Sequence, residues 1–295
     1  MSSPYENSQQ RISDPCVILL DNGSLRAAST HNLRTLADDL SIITNRVIHP
    51  VSLLHSNKVP DQDLDGTPAQ ILEPFLASKL ATGTTSFIIL PLFFGQTAAV
   101  YEFIPQRLKE IRKSWPQIEV RIASCMVNLD NESDNSLAEI LARVVRSKIS
   151  SEGLHRPAIA LVDHGTPRIA VNKVRNLVCK QLNEALLGEF GPVKAASMER
   201  REGADYDFND PLLEKLLGAP GFEGQVVVAL LFSSPGRHAG EGGDILRICE
   251  RAEQIHDGLN VFVADLPSTD RGFLDILSLR LVDALSVIPV TDALK

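Results

Sequence analysis

The chain has 295 residues, with 29 Lys and Arg against 37 Asp and Glu, a formal net charge of −8. Hydrophobic residues make up 44% and charged residues 22%, enough apolar material for one large core or two smaller ones. The acidic balance argues against a nucleic-acid partner, which needs a basic face. No apolar run approaches the ~20 residues that cross a bilayer.

In chain order, residues 1–14 are polar, lack the pattern of a secretory signal, and are read as a disordered tail. Short β-branched or apolar runs then predict strands at Cys16–Leu20, Val47–Leu54, Ser86–Phe93 and Glu119–Cys125. Such continuous runs suit strands buried on both faces. Helical periodicity fills the spaces between them, over Leu25–Thr44, Pro68–Ala81, Ala98–Ser114 and Asp134–Ser150. The second half repeats the scheme, with strands at Ala158–Val162, Val193–Ser197, Gln225–Phe232 and Asn260–Ala264. Its helices fall at Ile169–Leu187, Pro211–Leu217, Gly243–Asp257 and Arg271–Val287.

The expected architecture is α/β: two similar lobes, each a four-stranded parallel sheet flanked by helices, facing each other across a cleft. The boundary is expected near Ser150–Pro157, giving an N-terminal lobe over 15–150 and a C-terminal lobe over 151–295. A continuous (βα)₈ barrel would use the same alternation, but a duplicated half-length unit with a linker favours two open lobes. Four scattered cysteines with no C-x-x-C pair suit a reducing cytoplasm and exclude the usual cysteine-rich metal sites.

The duplication is visible in two segments. Leu19-Leu20-Asp21-Asn22-Gly23-Ser24 recurs 142 residues later as Leu161-Val162-Asp163-His164-Gly165-Thr166. Leu90 to Gln96 is matched by Leu230 to His238. In each pair the second copy carries a histidine where the first has an amide, Asn22 or Gln96. Ligands of open parallel sheets gather beyond the carboxyl ends of the strands. His164, Glu199 and His238 follow the first, second and third strands of the second lobe. Two imidazoles and a carboxylate make a mixed site for a divalent first-row metal, and imidazole also accepts protons near neutral pH.

The loop from Gly236 to Asp244 is glycine-rich and leads into a predicted helix, which suits anion binding. It lacks the Gly-Lys-Ser/Thr of a P-loop, and it follows the third strand of its lobe, where a dinucleotide fingerprint would follow the first. Asp244 reads equally as a cap of that helix. Arg237-His238-Ala239-Gly240 is weakly similar to the Arg-His-Gly of histidine phosphatases, but lies too late in the unit for that family.

Three segments carry a more specific resemblance: Asp163 to Thr166, Ser197 to Arg201, and Ser234 to Asp244. On them the chain resembles the class II tetrapyrrole chelatases, especially the sirohydrochlorin cobalto- and ferrochelatases of the CbiX/SirB group. The resemblance implies insertion of Co²⁺ or Fe²⁺, with Ni²⁺ possible, into a porphyrin-like macrocycle, without ATP and without an organic cofactor. It implies that His164 and His238 bind the metal and accept pyrrole protons, with Glu199 as a third ligand. Arg237 and Arg200, with Arg168 and Arg201 as further candidates, would meet the substrate carboxylates. Asn22, Gln96 and His55 would line the opposite wall, His55 as the counterpart of Met198–Glu199. One departure stands out: long bacterial relatives typically carry the histidine pair in the first half, whereas here it lies in the second. A non-catalytic tetrapyrrole- or metal-binding protein is the alternative reading, and a bilobal chain acts as a monomer or homodimer.

Overall fold

All eight apolar runs form strands in the computed structural model, which describes residues 14–292. The tail expected over 1–14 lies outside them, save for Asp14. In the first half the strands are β1 (Cys16–Asp21), β2 (Ile48–Ser52), β3 (Ser86–Pro91) and β4 (Glu119–Ile122). In the second they are β5 (Ala158–Asp163), β6 (Val193–Ser197), β7 (Gln225–Leu230) and β8 (Asn260–Val263). They make two separate parallel sheets, ordered β2-β1-β3-β4 and β6-β5-β7-β8, which rules out the single barrel. Strands β3 and β5 are buried throughout, and β1 and β7 at all but their first residue, the reason their residues are apolar without alternation.

The helices are α1 (Ala27–Thr44), α2 (Leu72–Ala81), α3 (Ile104–Ser114), α4 (Ser136–Glu152), α5 (Ile169–Ala185), α6 (Leu213–Leu216), α7 (Asp244–Ile255) and α8 (Gly272–Ala284). A π-helical turn over Ala99–Phe103 leads into α3. The expected element types match throughout, and the bounds differ by a few residues, as loop residues at strand ends are apolar but unpaired.

The chain halves and the spatial lobes differ in one respect. Each half supplies a whole sheet, but α4, from the first half, packs on β7 and α5 of the second sheet. Helix α8, the last of the second half, packs on α1 and β3 of the first sheet. Phe273, Leu277 and Leu281 of α8 therefore share one buried cluster with Leu36 and Leu40 of α1, and with Leu141 and Val145 of α4. This cluster joins the two lobes, while each sheet keeps a separate core on its outer face. Arg280 fixes the exchange: its buried guanidinium donates to the carbonyls of Cys125 and Met126 and pairs with Asp134 at 2.5 Å. A cut at residue 150 would fall in the last turn of α4 and part α8 from its sheet.

Candidate metal-handling site

The order β6-β5-β7-β8 places the topological switch point between β5 and β7, where the carboxyl ends of neighbouring strands splay apart. His164 follows β5 and His238 follows β7, so both imidazoles arise at that crevice. Their ring centroids lie 4.7 Å apart, edge to face. Glu199, after β6, brings Oε1 to 3.4 Å from His164 Nε2.

The turn carrying His164 is tightly specified. Gly165 adopts φ +90°, and a Cβ there would lie 1.8 Å from the Glu199 carbonyl oxygen, so only glycine fits. The Gly165 amide donates to Asp163 Oδ1, which also accepts from the Ser197 hydroxyl at 2.6 Å. Lobe one repeats the arrangement at Asn22, with Gly23 at φ +85° and a Cβ 1.7 Å from the Leu54 carbonyl.

The hydrogen bonds of the two rings set their lone pairs. His238 Nδ1 lies 2.7 Å from Asp244 Oδ2. An ionised carboxylate only accepts, so Nδ1 donates and Nε2 keeps its lone pair. Burial opposes ionisation of Asp244, but the His238 hydrogen bond and the charges of Arg237 and Arg247 outweigh it and hold its pKa below the ordinary value. Asp244 is thus the partner that orients His238. It is the first residue of α7, and the helix N-cap, Gly243, makes no side-chain cap. His164 Nδ1 lies 3.1 Å from the Gly165 carbonyl and donates to it, which leaves the Nε2 lone pair facing the Glu199 carboxylate. A proton on Nε2 or a metal ion between the two atoms would satisfy both. Among the described residues, no group of three His, Cys, Asp or Glu side chains is gathered in a form that could hold a metal ion.

The expected arginines have different surroundings. Arg237 is exposed, with Nε 3.5 Å from Asp244 Oδ2. Arg200 is engaged by Asp207 at 2.5 Å and Asp210 at 3.2 Å, which braces its own loop. Arg201 lies over the Tyr206 ring. Arg168 makes a two-pronged pair with Glu102 of lobe one, at 2.6 and 2.9 Å. That pair and the bond from Asn32 Nδ2 to Ser234 Oγ, 3.0 Å, link the lobes. At Gly95 they meet so closely that a Cβ would lie 2.3 Å from Val174. Beside His238 a cavity of about 450 Å³ runs between Asn32, Pro235, Ile245 and Leu266, a volume suited to a small organic ligand.

On lobe one, strand pairing revises two equivalences. Ser52 and Ser197 occupy matching register positions beside Asp21 and Asp163. Leu54 therefore matches Glu199, and His55, exposed at φ +69°, matches Arg200, one residue beyond the counterpart expected for it. Pro91 and Leu230 are likewise equivalent, so Gln96 falls opposite Pro235, three residues short of His238. The loop before α7 is longer than its lobe-one partner, and the register cannot be read across it. Asn22 and His164 remain true equivalents. The backbone carbonyl of Asn22 accepts from the Leu54 amide within lobe one, as the His164 carbonyl accepts from the Glu199 amide in lobe two.

The sequence reading missed the support beneath His164. Arg175 on α5 is buried and donates to Ser197 Oγ at 2.6 Å, to the Asn209 carbonyl at 2.8 Å and to the Phe208 carbonyl at 3.2 Å. The Asn209 side chain clasps the Thr166 backbone, accepting from its amide and donating to its carbonyl, both at 2.9 Å. The available signal was an arginine inside the apolar stripe of α5, three residues before Val178 and seven before Leu182.

No protein-family model and no curated protein sequence matches the chain. Solved structures do. SirB from Bacillus subtilis with Fe³⁺ superposes with a TM-score of 0.64 at 12% identity, covering 92% of this chain and 96% of that one. The sirohydrochlorin chelatase SirB from Bacillus subtilis subspecies spizizenii, in complex with cobalt, gives 0.60 at 12% identity over 92% and 95%. DR2241 from Deinococcus radiodurans, a multi-domain protein with structural similarity to chelatases, gives 0.58 at 14% identity, over 93% of this chain and 56% of that one. In fold, the chain is a two-lobed chelatase-like α/β protein, similar to the SirB sirohydrochlorin chelatases over nearly its whole length.

Proposed function

We propose that this protein inserts a divalent metal, Co²⁺ or Fe²⁺, into sirohydrochlorin or a related tetrapyrrole without ATP. The observation that carries the reading is the histidine pair at the switch point, 4.7 Å apart, with His164 Nε2 3.4 Å from the Glu199 carboxylate. The metal is cargo. An open, half-exposed pair of imidazoles with one carboxylate binds a first-row cation and leaves positions free for the acceptor. The likeness to SirB, solved with iron and with cobalt, supports the same reading.

In this mechanism His164 and His238 take the metal through Nε2, and Glu199, which lies beside His164 and is not gathered with both rings, swings in as the third ligand when the metal binds. The macrocycle approaches with its carboxylates toward Arg237 and Arg168. Metal passes to the ring nitrogens while two pyrrole protons leave, and the vacated Nε2 atoms accept them. Asp244 keeps its hydrogen bond to His238 Nδ1 throughout and holds the ring in place. Arg200 supports its loop through Asp207 and Asp210, so its part in holding carboxylates requires release from them.

The test is absorbance of sirohydrochlorin mixed with Co²⁺ or Fe²⁺ and protein. His164→Ala and His238→Ala are expected to bring metallation to the spontaneous rate with the circular dichroism unchanged. A double variant that still metallates faster than the spontaneous reaction overturns the assignment. Wild-type protein that binds macrocycle or metal tightly without turnover would make it a carrier instead.

A further inference from the structure

The two lobes differ beneath the strand ends as well as at them. Arg26 and Arg168 occupy the same position before α1 and α5, so Leu33 of α1 stands where Arg175 stands on α5. The isolated bridges Ser52–Ile71 and Ser197–Leu212 align the loops that follow, placing Thr67 and Pro68 opposite Phe208 and Asn209. In lobe two the Arg175 guanidinium occupies the space bounded by Ser197, Phe208 and Asn209. In lobe one the same space is a cavity of about 100 Å³, lined by Thr30, Leu33, Arg34, Ser52, Thr67 and Pro68. Thr30 Oγ1, buried there, has no hydrogen-bond partner. Lobe one therefore has no guanidinium at the Arg175 position, and Arg34, one residue further on, reaches the loop carbonyls of Leu64 and Thr67 instead.

We infer that Arg175 is a positioning residue that holds the Asp163–Thr166 turn, and with it the His164 ring, in the geometry the site needs. The inference rests on the reading of His164 as a metal-handling group. The guanidinium touches neither imidazole. It acts through Ser197, which bonds Asp163, and through Asn209, which clasps Thr166 on the far side of His164. Both ends of the four-residue turn are thus tied to one buried, five-donor group, where lobe one ties Ser24 and Ser52 through the single hydroxyl of Ser56. The lobe that has this anchor carries both histidines, and the lobe that lacks it carries Asn22.

The test uses the full-length Arg175→Ala protein. Its expected signature is a kcat for metal insertion reduced by about 100-fold with macrocycle KM unchanged, as for a misplaced reacting group. The ¹H–¹⁵N resonances of the His164 ring shift and broaden, while those of His55 on lobe one stay in place. Millimolar guanidinium, which fits the vacated space, restores kcat; urea, of the same shape without the charge, does not. A folded Arg175→Ala protein with wild-type kcat and unmoved His164 resonances overturns the inference. If that variant does not fold, Arg175→Lys keeps the charge without the fork and is expected to show a smaller kcat-selective loss. Wild-type kcat in the lysine variant overturns the inference equally. If the wild-type protein itself does not metallate the macrocycle, the functional reading fails, and the imidazole resonances still decide whether Arg175 positions His164.

Discussion

Asp21 and Asp163 are the same residue in two copies of one fold, and the same substitution should move their stabilities in opposite directions. Burial raises the Asp21 carboxyl from 3.8 to about 6, against hydrogen bonds from Ser52 and the Gly23 amide. A carboxyl with a raised value binds its proton more tightly when folded. Its contribution is complete below about pH 4, the unfolded value, and is lost as the pH climbs through about 6. The whole difference amounts to about 3 kcal/mol, of which about half falls between pH 5 and 8. Asp21→Asn removes the ionisable group and keeps an oxygen for Gly23. The variant should match wild type near pH 4 and exceed it by about 1–3 kcal/mol at pH 8. At Asp163 burial also raises the value, opposed by the Ser197 hydrogen bond and the Arg175 charge. Asp163→Asn leaves Arg175, whose side chain is 3% exposed, without its counter-charge, and should destabilise by about 3 kcal/mol at neutral pH. Urea unfolding at pH 5, 6.5 and 8 measures both. Parallel curves for wild type and Asp21→Asn across that range, or a stabilised Asp163→Asn, would refute the reasoning.

Two further outcomes follow from the contacts between lobes. Arg280→Met should lower stability by about 3–5 kcal/mol in urea unfolding, because it leaves Asp134 and two carbonyls without their buried donor. Glu102→Gln breaks an exposed ion pair and should leave the melting temperature unchanged. It frees Arg168 for a substrate carboxylate, so macrocycle binding followed by fluorescence should tighten; unchanged or weaker binding would count against Arg168 as a carboxylate receptor.

Eight strands, their parallel pairing and the division into two sheets were legible in the chain, because strands buried on both faces must be apolar throughout and helices must alternate with them. The pairing of Asn22 with His164 was legible for the same reason: Asp-x-Gly at a strand end repeats a turn that only glycine can make. The approach of His238 and of Glu199 to His164 followed from strand order, since the carboxyl ends of β5, β6 and β7 share one edge, but the three do not gather into one metal-holding group among the described residues. What tertiary structure alone decided is of a different kind. The exchange of α4 and α8 between lobes depends on which apolar stripe meets which sheet, and stripes of equal hydrophobicity do not name their partners. Asp244 as the orienter of His238 depends on a 2.7 Å contact within a loop whose path its glycines leave open. The mismatch between Gln96 and His238 lies in a loop of different length in each lobe, where register is lost. The lone cation on the inner face of α5 was visible as Arg175, but its partners, Ser197, Phe208 and Asn209, lie 22 to 34 residues away in sequence. Local periodicity establishes that a residue is buried; only the packed chain establishes what it is buried against.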